Sequence, residues 1–199
     1  IASDSGNLPV VVRKQLFEIR QPLLSHSLLL PVTQDVVFIP DFHYISYDGY
    51  VDLVESMNKY NGEHSFASKD PIVFWRGSPS ALRTDCVNRS LPFPYFDMGL
   101  SSMKKGNFSE QTLGGIYKER VPEHGWIRPR GILDIDGHVN AWGLYWRLAS
   151  RSAVFKVDSN FTNYYISRME EGVHYFKIER NLCNLAEIAS IVTSNESHE

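Results

Sequence analysis

Only two cysteines occur in the 199 residues, Cys86 and Cys183, and neither has a cysteine near it in sequence. A disulfide framework and a zinc site are therefore not expected, and two separate thiols are. Basic excess is missing as well: 20 Lys and Arg stand against 23 Asp and Glu, a net charge of −3. A nucleic-acid binder would usually carry a basic stripe, so nucleic acid is not an expected partner. No apolar run approaches the roughly 18–20 residues needed to cross a bilayer, so no membrane span is expected. Repeats, low-complexity tracts and long linkers are absent too. The chain opens at Ile1, inside what reads as a strand, with neither Met nor a signal peptide. It reads as a fragment or a processed chain, and a missing targeting signal then excludes nothing.

What is present is the composition of a globular protein, 43% hydrophobic and 22% charged. The length suffices for one domain or a good part of two. Four Asn-X-Ser/Thr sequons, at Asn88, Asn107, Asn160 and Asn195, exceed the one or two expected by chance. They lean towards a secretory-pathway lumen, the endoplasmic reticulum or Golgi.

The most informative stretch is GILDIDGHVNAWGLYWRLASRSAVFKVDS at 131–159. An apolar strand ends in acidic residues and a glycine, and a Trp-rich helix leads to a second apolar strand. PIVFWRGSPSALRT at 71–84 reads as another strand running into a helix. Strands are expected at 36–40, 72–75, around 95–98, and at 131–135, 152–157 and 173–178. Helices are expected at 48–61, 139–150, 161–170 and 182–193. Strands alternating with helices predict an α/β fold with a parallel sheet. Open sheets of this kind bind ligands outside the carboxyl ends of their strands.

Two strand ends carry candidate chemistry. At the first, Ser78 is placed to cap a helix with Pro79 at its first position. The following N–H groups and Arg76 would then hold a phosphate oxygen, with Gly77 allowing close approach. At the second, alternation puts Asp134 and Asp136 on the same side. They can bind a divalent cation or serve as ordinary strand-end and turn residues; Asp136-Gly137 favours the turn, and no third ligand is evident. His138 reads as a loop histidine. Asn140, Gly143, Arg147 and Ser150 fall on one polar stripe of the expected helix. Asn140 would lie beside the crevice, and Arg147 would pair with a carboxylate elsewhere. Two such ends aimed at one crevice point to a phosphate-bearing ligand.

FWRGS at 74–78, LDIDGHVNAWGLYWRL at 133–148, SAVFKVDS at 152–159 and NYYISRMEEGVHYFKIERNLCNLAEI at 163–188 together resemble the C-terminal half of glycosyl transferase family 90. IPDFHYI at 39–45 fits the block that precedes the arginine–glycine turn. The resemblance covers roughly residues 36–193, with the blocks in the family's order and spacing. The family includes protein O-glucosyltransferases of the endoplasmic reticulum and capsule-associated xylosyltransferases of fungi.

The resemblance implies a GT-B-like fold, with Rossmann-type parallel sheets, helices on both faces and an N-terminal domain that is incomplete here. Residues 1–70 would be the remnant of the acceptor-side domain and its connection, and 71–199 the nucleotide-sugar-binding domain. It implies an inverting transfer of glucose or xylose from a UDP-sugar co-substrate to a protein or glycan hydroxyl, without a metal or other cofactor. Arg76, Gly77 and Ser78 match the donor-phosphate turn. Asp136, Gly137, Val139 and Asn140 match a second donor loop. Phe155 and Asp158, with Lys156, Val157 and Ser159, match a strand end of the nucleotide or sugar pocket. Trp142 or Phe155 would stack on base or sugar, or belong to the core.

Two departures stand out. Many members carry an arginine midway along the helix after the glycine loop, where this chain has Gly143 and Leu144, with Arg147 later. The family's general base is an aspartate in the N-terminal domain, for which the one candidate is Asp4, unless Asp4 is a frayed terminal residue. A non-catalytic carbohydrate- or nucleotide-sugar-binding homologue is the competing expectation. A phosphate hydrolase would need a nucleophile that is not evident.

Overall fold

The computed structural model describes residues 23–30, 36–101 and 114–193. Its strands are β1 (Leu23–Ser25), β2 (Leu28–Leu29), β3 (Val36–Phe38), β4 (Asp70–Gly77), β5 (Phe96–Leu100), β6 (Pro129–Asp134), β7 (Ala153–Val157), β8 (Phe161–Thr162) and β9 (Phe176–Ile178). Its α-helices are α1 (Phe42–Ser46), α2 (Val51–Glu63), α3 (Ala81–Ser90), α4 (Leu144–Ala149) and α5 (Leu185–Thr193).

Five strands form one parallel sheet in the order β5-β4-β6-β7-β9. The central strand β6 is buried along its whole length, as strands covered on both faces must be. On one face, Phe74 of β4 meets Trp126 edge-on at 4.9 Å, and Trp126 meets Trp146 of α4 at 5.4 Å. Helix α2 packs against α4 and sends Met57 into the same core. On the other face, Arg83 of α3 lies over the Trp75 ring, and Val192 of α5 reaches β6 at Gly131. The α/β expectation therefore holds: a Rossmann-like sheet with helices on both faces. Two small pairings lie outside it, β1 parallel to β3 and β2 antiparallel to β8.

Several expected boundaries move, for local reasons. The helix expected at 139–150 is only Leu144–Ala149, because the Asp136 carboxylate accepts the Ala141 N–H and Gly137 N–H donates to Val139 O. Asn140 thus lies before the helix. The helix expected at 161–170 does not form. Phe161 and Thr162 pair with β2, and the Asn163 side chain accepts from the Tyr165 and Ile166 N–H groups, giving the backbone a turn instead. The helix expected to start at Ser78-Pro79 starts at Ala81, capped by Ser80, whose hydroxyl accepts the Arg83 N–H. A proline disfavours the helical region for the residue before it, and Ser80 is itself extended at φ −150° and ψ 167°, so the first turn waits until Ala81.

Gly131 sits where β6 passes under α5, and a Cβ there would come within 2.9 Å of Phe155 and Val192 side-chain atoms. Gly131→Ala is expected to cost about 1–3 kcal/mol through overpacking of the core. Urea unfolding measures this, and an unchanged midpoint would contradict the packing described.

Candidate functional site

The order of strand addition reverses at β4: the chain leaves β4 for β5 on one side, then returns to add β6 on the other. Such a switch point opens a crevice beyond the carboxyl ends of the two strands. A cleft of about 1080 Å³ lies there, lined among others by Arg76, Gly77, Ser78, Trp126, Trp142 and Arg147. The first expected strand end therefore lines the crevice.

Alternation along β4 turns Arg76 to the face shared with Phe74, and its guanidinium stacks 4.6 Å from that ring. The guanidinium is held from the edge strand. Arg76 Nη2 donates to both Asp97 carboxylate oxygens, at 2.8 and 2.9 Å, and Nη1 to the Trp75 and Asp97 carbonyls. Nε is buried with no partner among the described residues. Lys118 Nζ reaches the same carboxylate at 2.6 Å, so two cations share one anion. Beside Gly77 a Cβ would fall 2.6 Å from the Trp75 indole, so it is this ring that requires the glycine.

Ser78 does not cap the helix; its hydroxyl and carbonyl both accept from Arg83. Arg83 also donates twice to the Ile135 carbonyl, tying the end of β4 to the end of β6. Burial, with Arg147 close by, pulls the Arg83 guanidinium down to about 10.

The acidic pair at the end of β6 is buried and occupied. Asp134 is fully buried and ion-paired to Arg147 and, at 3.4 Å, to Lys156 of β7. The same Lys156 ammonium stands 3.8 Å from Asp136, so the two carboxylates do share a side. Asp136 also accepts from Ser159. Burial pushes the Asp136 carboxyl up despite that lysine; burial depresses Lys156, and its two carboxylates more than restore it. Among the described residues no group of three or more His, Cys, Asp or Glu is placed to hold a metal ion.

Arg147 pairs with a carboxylate, as expected, and also reaches the cleft. Its guanidinium lies 4.8 Å from the Trp126 ring centre and folds back over Gly143, where a Cβ would be 2.9 Å from Nη2. Glycine at 143 is what leaves room for that head group.

The remaining expected residues sit behind or beside the cleft. Gly137 packs against the Arg83 guanidinium, and the Val139 carbonyl closes the 137–139 turn. Asn140 is buried and accepts from Ser27, and Phe155 is fully buried in the core against Phe176. Asp158 is exposed, 3.7 Å from Lys177. Asp4 lies outside the described residues. Cys86 is buried and Cys183 exposed, both free thiols.

Sequence reasoning missed Arg83, Asp97 and Lys118. Their partners lie across strands, and nothing in the local pattern marks them. Lys156 had a signal: one charge inside the apolar run AVFKV implies a buried carboxylate opposite it.

The model of glycosyl transferase family 90 matches residues 4–199. The chain belongs to that family. It is a glycosyltransferase by membership, acting on a nucleotide-sugar donor and an acceptor, on an α/β fold whose described helices include none long and apolar enough to cross a membrane.

Asp97 is partly buried, which raises its pKa, but hydrogen bonds from Lys118 and Arg76 outweigh that and hold it below the usual carboxylate value. The stability it contributes is present above its unfolded value of about 3.9 and is lost as pH falls through the lower folded value. Asp97→Asn is therefore expected to flatten the acid limb of stability below about pH 4. Unfolding midpoints measured across that limb check this; parallel limbs for variant and parent would contradict it.

Proposed function

We propose that the chain moves glucose or xylose from a UDP-sugar to a hydroxyl of a protein or glycan acceptor, inverting the anomeric centre, with no metal or other cofactor. The observation that carries this reading is the positive surplus at the switch point. Arg76 and Lys118 face one carboxylate, and Arg83, Arg147 and Lys156 face two, in a chain whose net charge is −3. A diphosphate is the ligand that such a surplus favours.

In a single displacement the acceptor oxygen attacks the anomeric carbon as the bond to the diphosphate oxygen breaks. The electron pair leaves with UDP, and the charge developing there is stabilised by Arg76, oriented by Asp97, and by Arg147. Asp4 takes the acceptor's proton. Gly77 and Ser78 border the phosphates, while Asp136, Gly137, Val139 and Asn140 shape the second loop. Phe155 supports that strand end from the core, and Asp158 marks its rim. A GT-B arrangement, with residues 1–70 on the acceptor side and 71–199 on the donor side, completes the reading. The lumen of the secretory pathway is the compartment we infer, supported by the exposure of Asn88 and Asn160 in their sequons.

Arg76→Ala is expected to lower transfer by at least about tenfold, or about 1.4 kcal/mol of barrier, with a modest fall in Tm because Lys118 stays on Asp97. Near-normal turnover would refute the phosphate role. Asp4→Asn is expected to abolish transfer and leave UDP binding intact. A parent chain that binds UDP but transfers nothing would be a binding homologue instead.

A further inference from the structure

The cleft has two chemically different sides. A strand end and α4 contribute Arg76 and Arg147, and the 120–124 segment an Arg120–Glu123 ion pair, whereas α1, the turn after it and the start of α2 contribute His43, Tyr47, Asp48, Tyr50 and Asp52. Rings on this second side form a continuous ladder. Trp142 meets His43 with 3.8 Å between ring centres; His43 lies within 10° of parallel to Tyr47 at 6.0 Å; Tyr47 stacks on Tyr50 at 5.5 Å. Tyr47 is 61% exposed and Trp142 46%. Adjoining large rings left in water at a cleft mark a binding surface.

Carboxylates stand beside the ladder. Asp48 and Asp52 both line the cleft, and among the described residues neither is in an ion pair. Asp48, Gly49 and Tyr50 are left-handed in succession, with φ of 45°, 66° and 60°. Aspartate and especially tyrosine take that backbone reluctantly, and here the turn puts both on one cleft wall.

Flat apolar faces beside unpaired carboxylates suit a sugar. The C–H face of a pyranose packs on a ring, and its hydroxyls donate to carboxylate oxygens. A phosphate would be repelled by Asp48 and Asp52. We propose that this side of the cleft is the acceptor subsite and that the acceptor is a saccharide, not a serine or threonine of a polypeptide. The inference rests on the donor reading above and names the acceptor class for the same cleft.

The test compares the 199-residue chain with its Tyr47→Ala, Tyr47→Phe and Asp48→Asn variants on an array of defined oligosaccharides, with UDP affinity measured in parallel. Asparagine tolerates the left-handed backbone, so Asp48→Asn removes charge and keeps the turn. The parent is expected to bind a set of glycans. Tyr47→Ala and Asp48→Asn should weaken that binding about tenfold or more, Tyr47→Phe should restore most of it, and UDP affinity should stay within about twofold throughout. Loss of UDP affinity in Tyr47→Ala would assign the ladder to the nucleotide base and overturn the inference. Binding to no glycan by a chain that binds UDP would overturn it too, as would transfer to a serine peptide and to no glycan. A chain that binds glycans but not UDP would keep the saccharide site while sinking the donor reading, so the two claims fail separately.

Discussion

A carboxylate taken fully out of water costs several kcal/mol unless cations come with it. Asp134, at the end of the central strand β6, imposes that requirement on everything around it. Arg147 answers from α4 and Lys156 from β7, and Lys156 extends the network to Asp136. Asp136 in turn holds the Ala141 N–H and the Ser159 hydroxyl, which anchors both the loop before α4 and the turn after β7. Arg83 adds the end of β4 through Ile135 and Ser78. Three strand ends are thereby locked together, and the cleft inherits their shape.

The same network explains the character of the cleft. At the strand ends that border it, cations outnumber carboxylates, so the field there favours an anion even though the chain as a whole is acidic. Across the cleft the balance reverses: stacked rings and unpaired carboxylates replace guanidinium groups. A donor with a diphosphate and an acceptor rich in hydroxyls would each find its own side. Arg147 belongs to both the internal network and the cleft, because Gly143 lets its head group turn back over the loop.

The parallel sheet was legible because its strands are short apolar runs separated by helical patterns, and the strand-end position of Arg76-Gly77-Ser78 followed from that order alone. The family was legible in four ordered blocks. Side-chain engagement was not. Asp97 lies 21 residues from Arg76 and meets it only because β5 pairs with β4. Asn140 reads as a crevice residue until Ser27, 113 residues away, is seen to donate to it. Residues 161–170 read as a helix in the strand–helix alternation, yet one asparagine side chain and a two-residue pairing with β2 suffice to redirect them. Local side-chain bonds of this kind are invisible to apolar spacing.

We propose that the strand-end cations hold a diphosphate. Titration of the chain with UDP and with uridine, both in EDTA, tests it most directly. UDP is expected to bind without metal and at least about tenfold more tightly than uridine, with the difference shrinking as salt screens it. Equal affinities, or UDP binding that appears only when Mn²⁺ replaces EDTA, would contradict it.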